Sequence, residues 1–114
     1  MDFSSERIIK LAHAQSAIPT ADGKLYADLF RHGTLTVEIY APWGVDLQQP
    51  HTRDELYIVA AGRGTFFVEG KRLEFSPGDA LFAAAGEVHR FEQFTNDLLV
   101  WVVFYGPEGG EHSQ

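Results

Sequence analysis

The chain reads GVDLQQPHTRDELYIVAAG over residues 44–62 and PGDALFAAAGEVHRFEQ over residues 77–93. The first segment places Glu55 four residues after His51, and the second contains His89. Imidazole nitrogens and carboxylate oxygens are groups with which proteins bind iron, manganese, nickel and zinc. The two segments therefore contain the parts of a metal site, provided that the fold brings His89 next to the other two residues.

His51 and Glu55 cannot share one ion on a straight strand, because they would lie about 13 Å apart there. A bend at residues 52–54 would bring them together. A helix would also bring them together, but Pro50 and the strand-like residues 56–59 favour the bend. On the strand before the bend, Gln49 has the same parity as His51 and is expected on the same face, as a fourth and weaker oxygen ligand. Taken singly, each of these residues is more often structural or solvated than a ligand, so the metal prediction depends on the set.

Short runs of apolar and β-branched residues recur along the whole chain. Polar and apolar residues alternate at residues 35–40, and strand-like runs follow at residues 56–59, 65–68 and 98–105. Glycine, proline and asparagine separate these runs, and Pro77-Gly78 suits a type II turn. Many short strands divided by turns predict an all-β sandwich or barrel.

The length of 114 residues indicates one domain over residues 1–114. We expect residues 1–20 to form an N-terminal arm and residues 106–114 a flexible tail. Within the arm, residues 4–15 fit either a short amphipathic helix or an edge strand.

Composition excludes several classes of function. Nine Lys and Arg against sixteen Asp and Glu give a net charge of -7, which disfavours nucleic acid as a partner. Because the chain has no cysteine, thiolate metal sites and cysteine nucleophiles are excluded. No apolar run reaches membrane-spanning length, and the N-terminus lacks the pattern of a signal peptide, so we predict a cytoplasmic protein without a membrane partner.

Residues 44–93 resemble the two conserved motifs of the cupin superfamily. The first motif corresponds to Gly44, Gln49-Pro50-His51, Glu55 and Gly62. The second corresponds to Gly78, Ala84-Ala85-Gly86, His89 and Gln93. Gln49 stands where the family usually has a first histidine, Ala84 where it has proline and Gln93 where it has asparagine, and Gly44 is one residue closer than is common.

The resemblance implies a double-stranded β-helix, the jelly-roll barrel of cupins, with one divalent metal ion held by His51, Glu55 and His89. The ligand set suits Fe, Mn, Ni or Zn. Glutamine binds metal in some cupins, so Gln49 is a candidate fourth ligand, as in the similar set of phosphomannose isomerases. The resemblance also implies a homodimer, which the exposed edges of a short barrel and its apolar last strand favour independently.

Strand parity then predicts the lining of a pocket for one small molecule. If the three ligands point inward, so do Tyr57, Phe91 and Gln93; Tyr57 and Phe91 are equally well explained as core aromatics. Tyr40 and Glu38 share a face that can reach the pocket, although solvent is the default for Glu38. Arg53 is a candidate for an anionic substrate at the mouth.

Three functions are consistent with these residues. The leading hypothesis is a metal-dependent enzyme, a dioxygenase-like oxidoreductase acting on a small organic molecule at the open metal positions. The second is a barrel that binds or senses a small molecule without chemistry. The third, a sugar isomerase, is supported only by Gln49.

Overall fold

The computed structural model describes residues 7–112, and these residues form one short helix and eight strands. The elements, in chain order, are α1 (Leu11–Ser16), β1 (Tyr26–His32), β2 (Leu35–Tyr40), β3 (Asp54–Ala61), β4 (Gly64–Val68), β5 (Lys71–Phe75), β6 (Ala80–Ala83), β7 (His89–Glu92) and β8 (Leu99–Tyr105). The strands predicted over residues 35–40, 56–59, 65–68 and 98–105 are confirmed as β2, β3, β4 and β8. No helix in the described part of the chain is long and apolar enough to cross a membrane.

The strands form two antiparallel sheets that face each other. The larger sheet has the order β1-β2-β8-β3-β6, and the smaller has the order β5-β4-β7. The side chains between them make the main core, which consists of Tyr57, Val59, Phe66, Phe75, Ala83, Phe91, Leu98, Val100 and Val102. Burying each large apolar side chain contributes about 1.5–3 kcal/mol, so this layer is what holds the sheets together. The predicted all-β jelly-roll barrel is confirmed.

Alternation along β8 sorts its aromatic residues to the two faces of the larger sheet. Phe104 packs on the main core, whereas Trp101 faces the other way. On that outer face, Ala14 of α1 is fully buried in a second cluster with Leu29 and Ile39. The arm is therefore packed on the barrel, and the region predicted as helix or edge strand contains a helix. Residues 1–6 lie outside the described part of the chain.

The segment after β8 folds back toward the start of β3. The Gly109 N–H donates to the Thr52 carbonyl at 2.7 Å, and the Glu111 N–H donates to the buried Asp54 carboxylate at 2.8 Å. Gly110 is buried beside Asp54, where a Cβ atom would lie only 2.9 Å from the carboxylate. The expected flexible tail is thus anchored by hydrogen bonds up to residue 111, and residues 113–114 lie outside the described part.

Candidate metal centre

Three different elements supply the predicted ligands. Glu55 is the second residue of β3, and His89 is the first residue of β7 in the opposite sheet. His51 lies in the loop of residues 41–53, where its carbonyl accepts a hydrogen bond from the Gly86 N–H at 2.8 Å. That bond ties the loop to the turn before β7, so both histidines are positioned by the same short connection.

The structure brings His51, Glu55 and His89 together at one point. Their ligand atoms all lie within 4.8 Å of one another. His89 Nε2 is 2.7 Å from Glu55 Oε1, and His51 Nε2 is 3.7 Å from the same oxygen. Glu55 and His89 are buried, while about a third of the His51 side chain is exposed. The chain bends at residues 52–53, directly before β3 begins at Asp54, close to where the bend was predicted.

The polar atoms at this point fit a bound cation. Both Glu55 oxygens and His89 Nε2 are buried and, apart from their own 2.7 Å contact, have no hydrogen-bond partner among the described residues. His89 Nδ1 lies 2.8 Å from the Glu87 carbonyl, which can only accept, so Nδ1 carries a hydrogen. In neutral His89 the Nε2 lone pair then faces a carboxylate oxygen, which is unfavourable without a cation between them. A divalent metal ion would satisfy all three buried atoms.

The carboxylate also changes the titration of its neighbours. Burial acts to lower the pKa of His89, but the adjacent Glu55 carboxylate, the Glu87 carbonyl and the charge of Asp46 raise it above its ordinary value. Burial and the charge of Glu55 raise the pKa of Tyr57 well above its usual range. The Tyr57 hydroxyl is therefore a fixed hydrogen-bond donor at neutral pH.

The glutamine that reaches these residues is Gln48. Its Oε1 lies 3.2 Å from His51 Nε2 and accepts a hydrogen bond from the Tyr57 hydroxyl at 2.9 Å. Gln49 is exposed and makes no hydrogen bond to the three ligands. Residues 45–50 are not a strand, so the parity rule that favoured Gln49 does not apply to them. The sequence contains no signal that separates the two glutamines.

A cavity of about 790 Å³ opens in front of the cluster. Tyr40, Arg53 and Tyr57, three residues predicted to line a pocket, lie at this cavity together with His51 and Glu55. Its mouth is apolar, and large parts of three loop side chains are exposed there, namely Trp43, Val45 and Leu47.

Two predicted lining residues lie elsewhere. Phe91 is buried in the main core, with its ring centroid 5.0 Å from that of Tyr57, and it does not reach the cavity wall. Gln93 is exposed, because its backbone adopts a positive φ of 49° just after β7 and so leaves the alternation of that strand. Phe91 is thus a core aromatic, and Gln93 is a turn residue.

Glu38 lies at the cavity, although the sequence analysis expected its side chain to face solvent by default. It lies opposite Asp28 in the β1–β2 pairing and lines the cavity. Burial, followed by a hydrogen bond with Asp28 and the charges of Asp28 and Glu55, raises the pKa of Glu38 to about 8. At neutral pH its carboxyl group is mostly protonated, and its one hydrogen is donated to the Asp28 carboxylate, so Glu38 presents a neutral group to the cavity.

Comparison with known proteins agrees with this architecture. The model of the cupin domain matches residues 36–105, which include all three clustered residues. The chain belongs to the cupin family. This cupin is 33% identical over 90 residues to an uncharacterized protein of Streptomyces coelicolor, a match that covers 77% of this chain and 86% of that protein.

Solved structures share the fold of this cupin. KdgF from a Halomonas species has a TM-score of 0.61 at 24% identity, covering 70% of this chain and 76% of that one. The DMSP lyase DddQ from Ruegeria pomeroyi has a TM-score of 0.62 at 23% identity, covering 71% of this chain and 46% of that one. Because identity is low, these two likenesses concern the fold alone.

Proposed function

We propose that this cupin is a metal-dependent enzyme that acts on a small anionic organic molecule in the cavity beside His51 and Glu55. One observation supports the proposal above all others: the Glu55 carboxylate and His89 Nε2 are buried 2.7 Å apart, and neither has a hydrogen-bond partner outside this contact. Burying a carboxylate against a neutral imidazole nitrogen costs several kcal/mol, a cost that a bound cation would offset. Two imidazoles and one carboxylate leave open positions on an ion for a substrate.

Arg53 supports an anionic substrate. Its guanidinium donates to the Thr34 carbonyl and, at 3.2 Å, to the Thr36 hydroxyl, so it is held against the cavity wall. It also lies over the ring of Phe104, 5.8 Å from the centroid, and that ring in turn contacts His51. No ion pair formed among residues 7–112 includes Arg53. A fixed cation without a carboxylate partner suits a carboxylate on the bound molecule.

Fe, Mn, Ni or Zn, when bound, would act as a Lewis acid or support dioxygenase-like chemistry with O2. The chain's own residues then have separate tasks. Arg53 orients the anionic end of the molecule, and the neutral Glu38 adds no negative charge that would repel an anion in the cavity. The apolar side chains at the mouth limit the access of water to the site.

A barrel that binds or senses a small molecule without chemistry is the second candidate. It is favoured by the hydroxyls of Tyr40 and Tyr57, which are both engaged in hydrogen bonds within the protein and so are not free as general bases. The sugar-isomerase hypothesis depended on Gln49, which is exposed and makes no hydrogen bond to the ligands.

The first test is elemental analysis of protein purified in metal-depleted medium and then incubated with each metal. One equivalent of metal bound to wild type, lost in His51→Ala, supports the proposal; no binding by wild type contradicts it. Metal-loaded protein is then screened with small carboxylates, using O2 consumption and product detection as readouts. Turnover of a carboxylate identifies an enzyme. If carboxylates bind but none is turned over, the protein is the non-catalytic binding or sensing barrel.

The anionic subsite is tested with Arg53→Gln and with Arg63→Gln as an exposed control. We expect Arg53→Gln to weaken binding of a carboxylate by 10-fold or more, since a charge-assisted bond contributes about 1.5–3 kcal/mol. Binding of the matching amide and of the metal should change little in either variant. Equal carboxylate affinity in wild type and Arg53→Gln would contradict the assignment.

We also propose that the protein works as a homodimer in the cytoplasm, as the sequence predicts. Light scattering at micromolar concentration tests the first point, and a monomeric mass would contradict it. Fractionation of cells that express the tagged protein tests the second.

A further inference from the structure

The loop of residues 41–53 contains a buried acid that belongs to none of the predicted roles. Asp46 is 6% exposed and accepts hydrogen bonds from several groups around it. Its Oδ1 accepts from the Tyr40 hydroxyl at 2.6 Å, and its Oδ2 accepts from the Phe91 N–H at 2.8 Å. The carboxylate thereby fixes the loop to β2 on one side and to β7 on the other.

Asp46 also determines how the Gln48 amide is turned. Gln48 Nε2 donates to Asp46 Oδ2 at 2.6 Å, and the Gln48 backbone N–H donates to Oδ1 at 3.3 Å. A carboxylate can only accept, so the amide nitrogen must face Asp46 and the amide oxygen must face the other way. That oxygen is directed to the metal cluster, where the Tyr57 hydroxyl donates to it at 2.9 Å.

The distance of this oxygen from His51 matches that between two ligands of one ion. Two ligands at right angles on one ion, with bonds of about 2.1 Å, lie about 3.0 Å apart. Gln48 Oε1 and His51 Nε2 are 3.2 Å apart, and the distances from Glu55 Oε1 to His89 Nε2 and His51 Nε2, 2.7 and 3.7 Å, bracket the same value. A ring nitrogen that binds a metal has no hydrogen to donate, so a nearby oxygen is best accommodated there as a second ligand of the same ion.

We infer that Gln48 Oε1 is a fourth ligand of the ion bound by His51, Glu55 and His89, and that Asp46 is the residue that orients it. The inference rests on the proposed metal binding and adds to it. A six-coordinate ion held by four protein ligands would keep two positions for oxygen atoms of a substrate such as a carboxylate. Gln49, the residue in the usual motif position, has no part in the ligand set.

The neighbouring glutamines offer a matched pair of variants. Binding of Mn²⁺ is measured by calorimetry on metal-free wild type, Gln48→Ala and Gln49→Ala, after circular dichroism has shown that each is folded. We expect Gln48→Ala to bind Mn²⁺ 10- to 100-fold more weakly, about the loss seen when residues around a metal are removed. Gln49→Ala should bind within twofold of wild type.

Absorption of the Co²⁺-loaded proteins separates a ligand from a residue that only orients His51. Loss of an oxygen ligand in Gln48→Ala should change the position and intensity of the d–d bands, and Gln49→Ala should retain the wild-type spectrum. Unchanged Mn²⁺ affinity in Gln48→Ala, or a wild-type Co²⁺ spectrum in that variant, overturns the inference while leaving the three-ligand site intact. Failure of wild type to bind either metal overturns both this inference and the proposed function.

Discussion

Replacing Glu55 with glutamine should have opposite effects on stability with and without metal. Without metal, the Glu55 carboxylate is 1% exposed, and its only close polar contact of 3 Å or less among residues 7–112 is with His89 Nε2 at 2.7 Å. A buried charge costs several kcal/mol, part of which its contact with His89 offsets. Glu55→Gln keeps the shape and removes the charge, so we expect the metal-free variant to be more stable by about 1–2 kcal/mol.

Metal should reverse this order. At a metal concentration of about 100 times Kd, wild type gains about 2.7 kcal/mol of unfolding free energy, whereas a variant that binds 100-fold more weakly gains only about 0.4 kcal/mol. For a chain of this size, 1 kcal/mol corresponds to about 4 °C in Tm. The variant should therefore melt at a higher temperature than wild type in chelator and at a lower temperature in saturating Mn²⁺ or Zn²⁺.

Thermal unfolding and urea titration, each with chelator and with metal, measure both effects. Glu74→Gln removes an exposed carboxylate on β5 and serves as the control, with no expected change in either condition. The reasoning is refuted if Glu55→Gln is less stable than wild type in chelator and metal then stabilises both proteins equally.

Three further changes test other parts of the structure. Glu38 has a pKa of about 8 against an ordinary value of 4.5, so wild type loses stability as pH rises through this window. Glu38→Gln cannot ionise, so its free energy of unfolding should rise by about 1–2 kcal/mol relative to that of wild type between pH 5 and pH 8.5, after allowance for solvent screening. Urea unfolding at each pH measures this difference, and parallel pH profiles of the two proteins would contradict it. Gly62→Ala should lose about 2–4 kcal/mol, because a Cβ would lie 2.6 Å from the Leu98 Cα, whereas Gly44→Ala, also at positive φ but in open space, should lose about 1 kcal/mol. Equal losses would show that the close contact has no effect. Asp54→Ala leaves two backbone N–H groups without acceptors, so it should lower Tm by about 8–12 °C, equivalent to about 2–3 kcal/mol. It should also increase proteolysis of residues 106–112, and an unchanged digestion pattern would contradict the anchoring of this segment.

The sequence analysis predicted β2, β3, β4 and β8, and it did not identify β1 or β5. Alternation at residues 35–40 corresponds to β2, whose Ile39 is buried in the second cluster while Glu38 and Tyr40 line the cavity. β5 has four exposed residues of five, so its sequence KRLEF carries no alternating signal. β1 contains a bulge between Asp28 and Phe30, which breaks the period of two that identifies a strand.

The site was predictable where residue chemistry alone was sufficient. His51, Glu55 and His89 are distinctive in spacing and type, and the structure brings them together. Gln48 was missed because its orientation depends on a hydrogen bond to Asp46 within an irregular loop. Glu38 was left to solvent because its burial follows from the position of β2 beside β8, which local sequence does not determine.

Anomalous diffraction from crystals soaked in Mn²⁺ or Zn²⁺ tests the central claim most directly, because it locates the ion itself. The expected result is one strong peak per chain, within about 2.3 Å of His51 Nε2, a Glu55 oxygen and His89 Nε2. A map with no peak between these three side chains, at a metal concentration that saturates binding in solution, would contradict the claim that they form a metal centre.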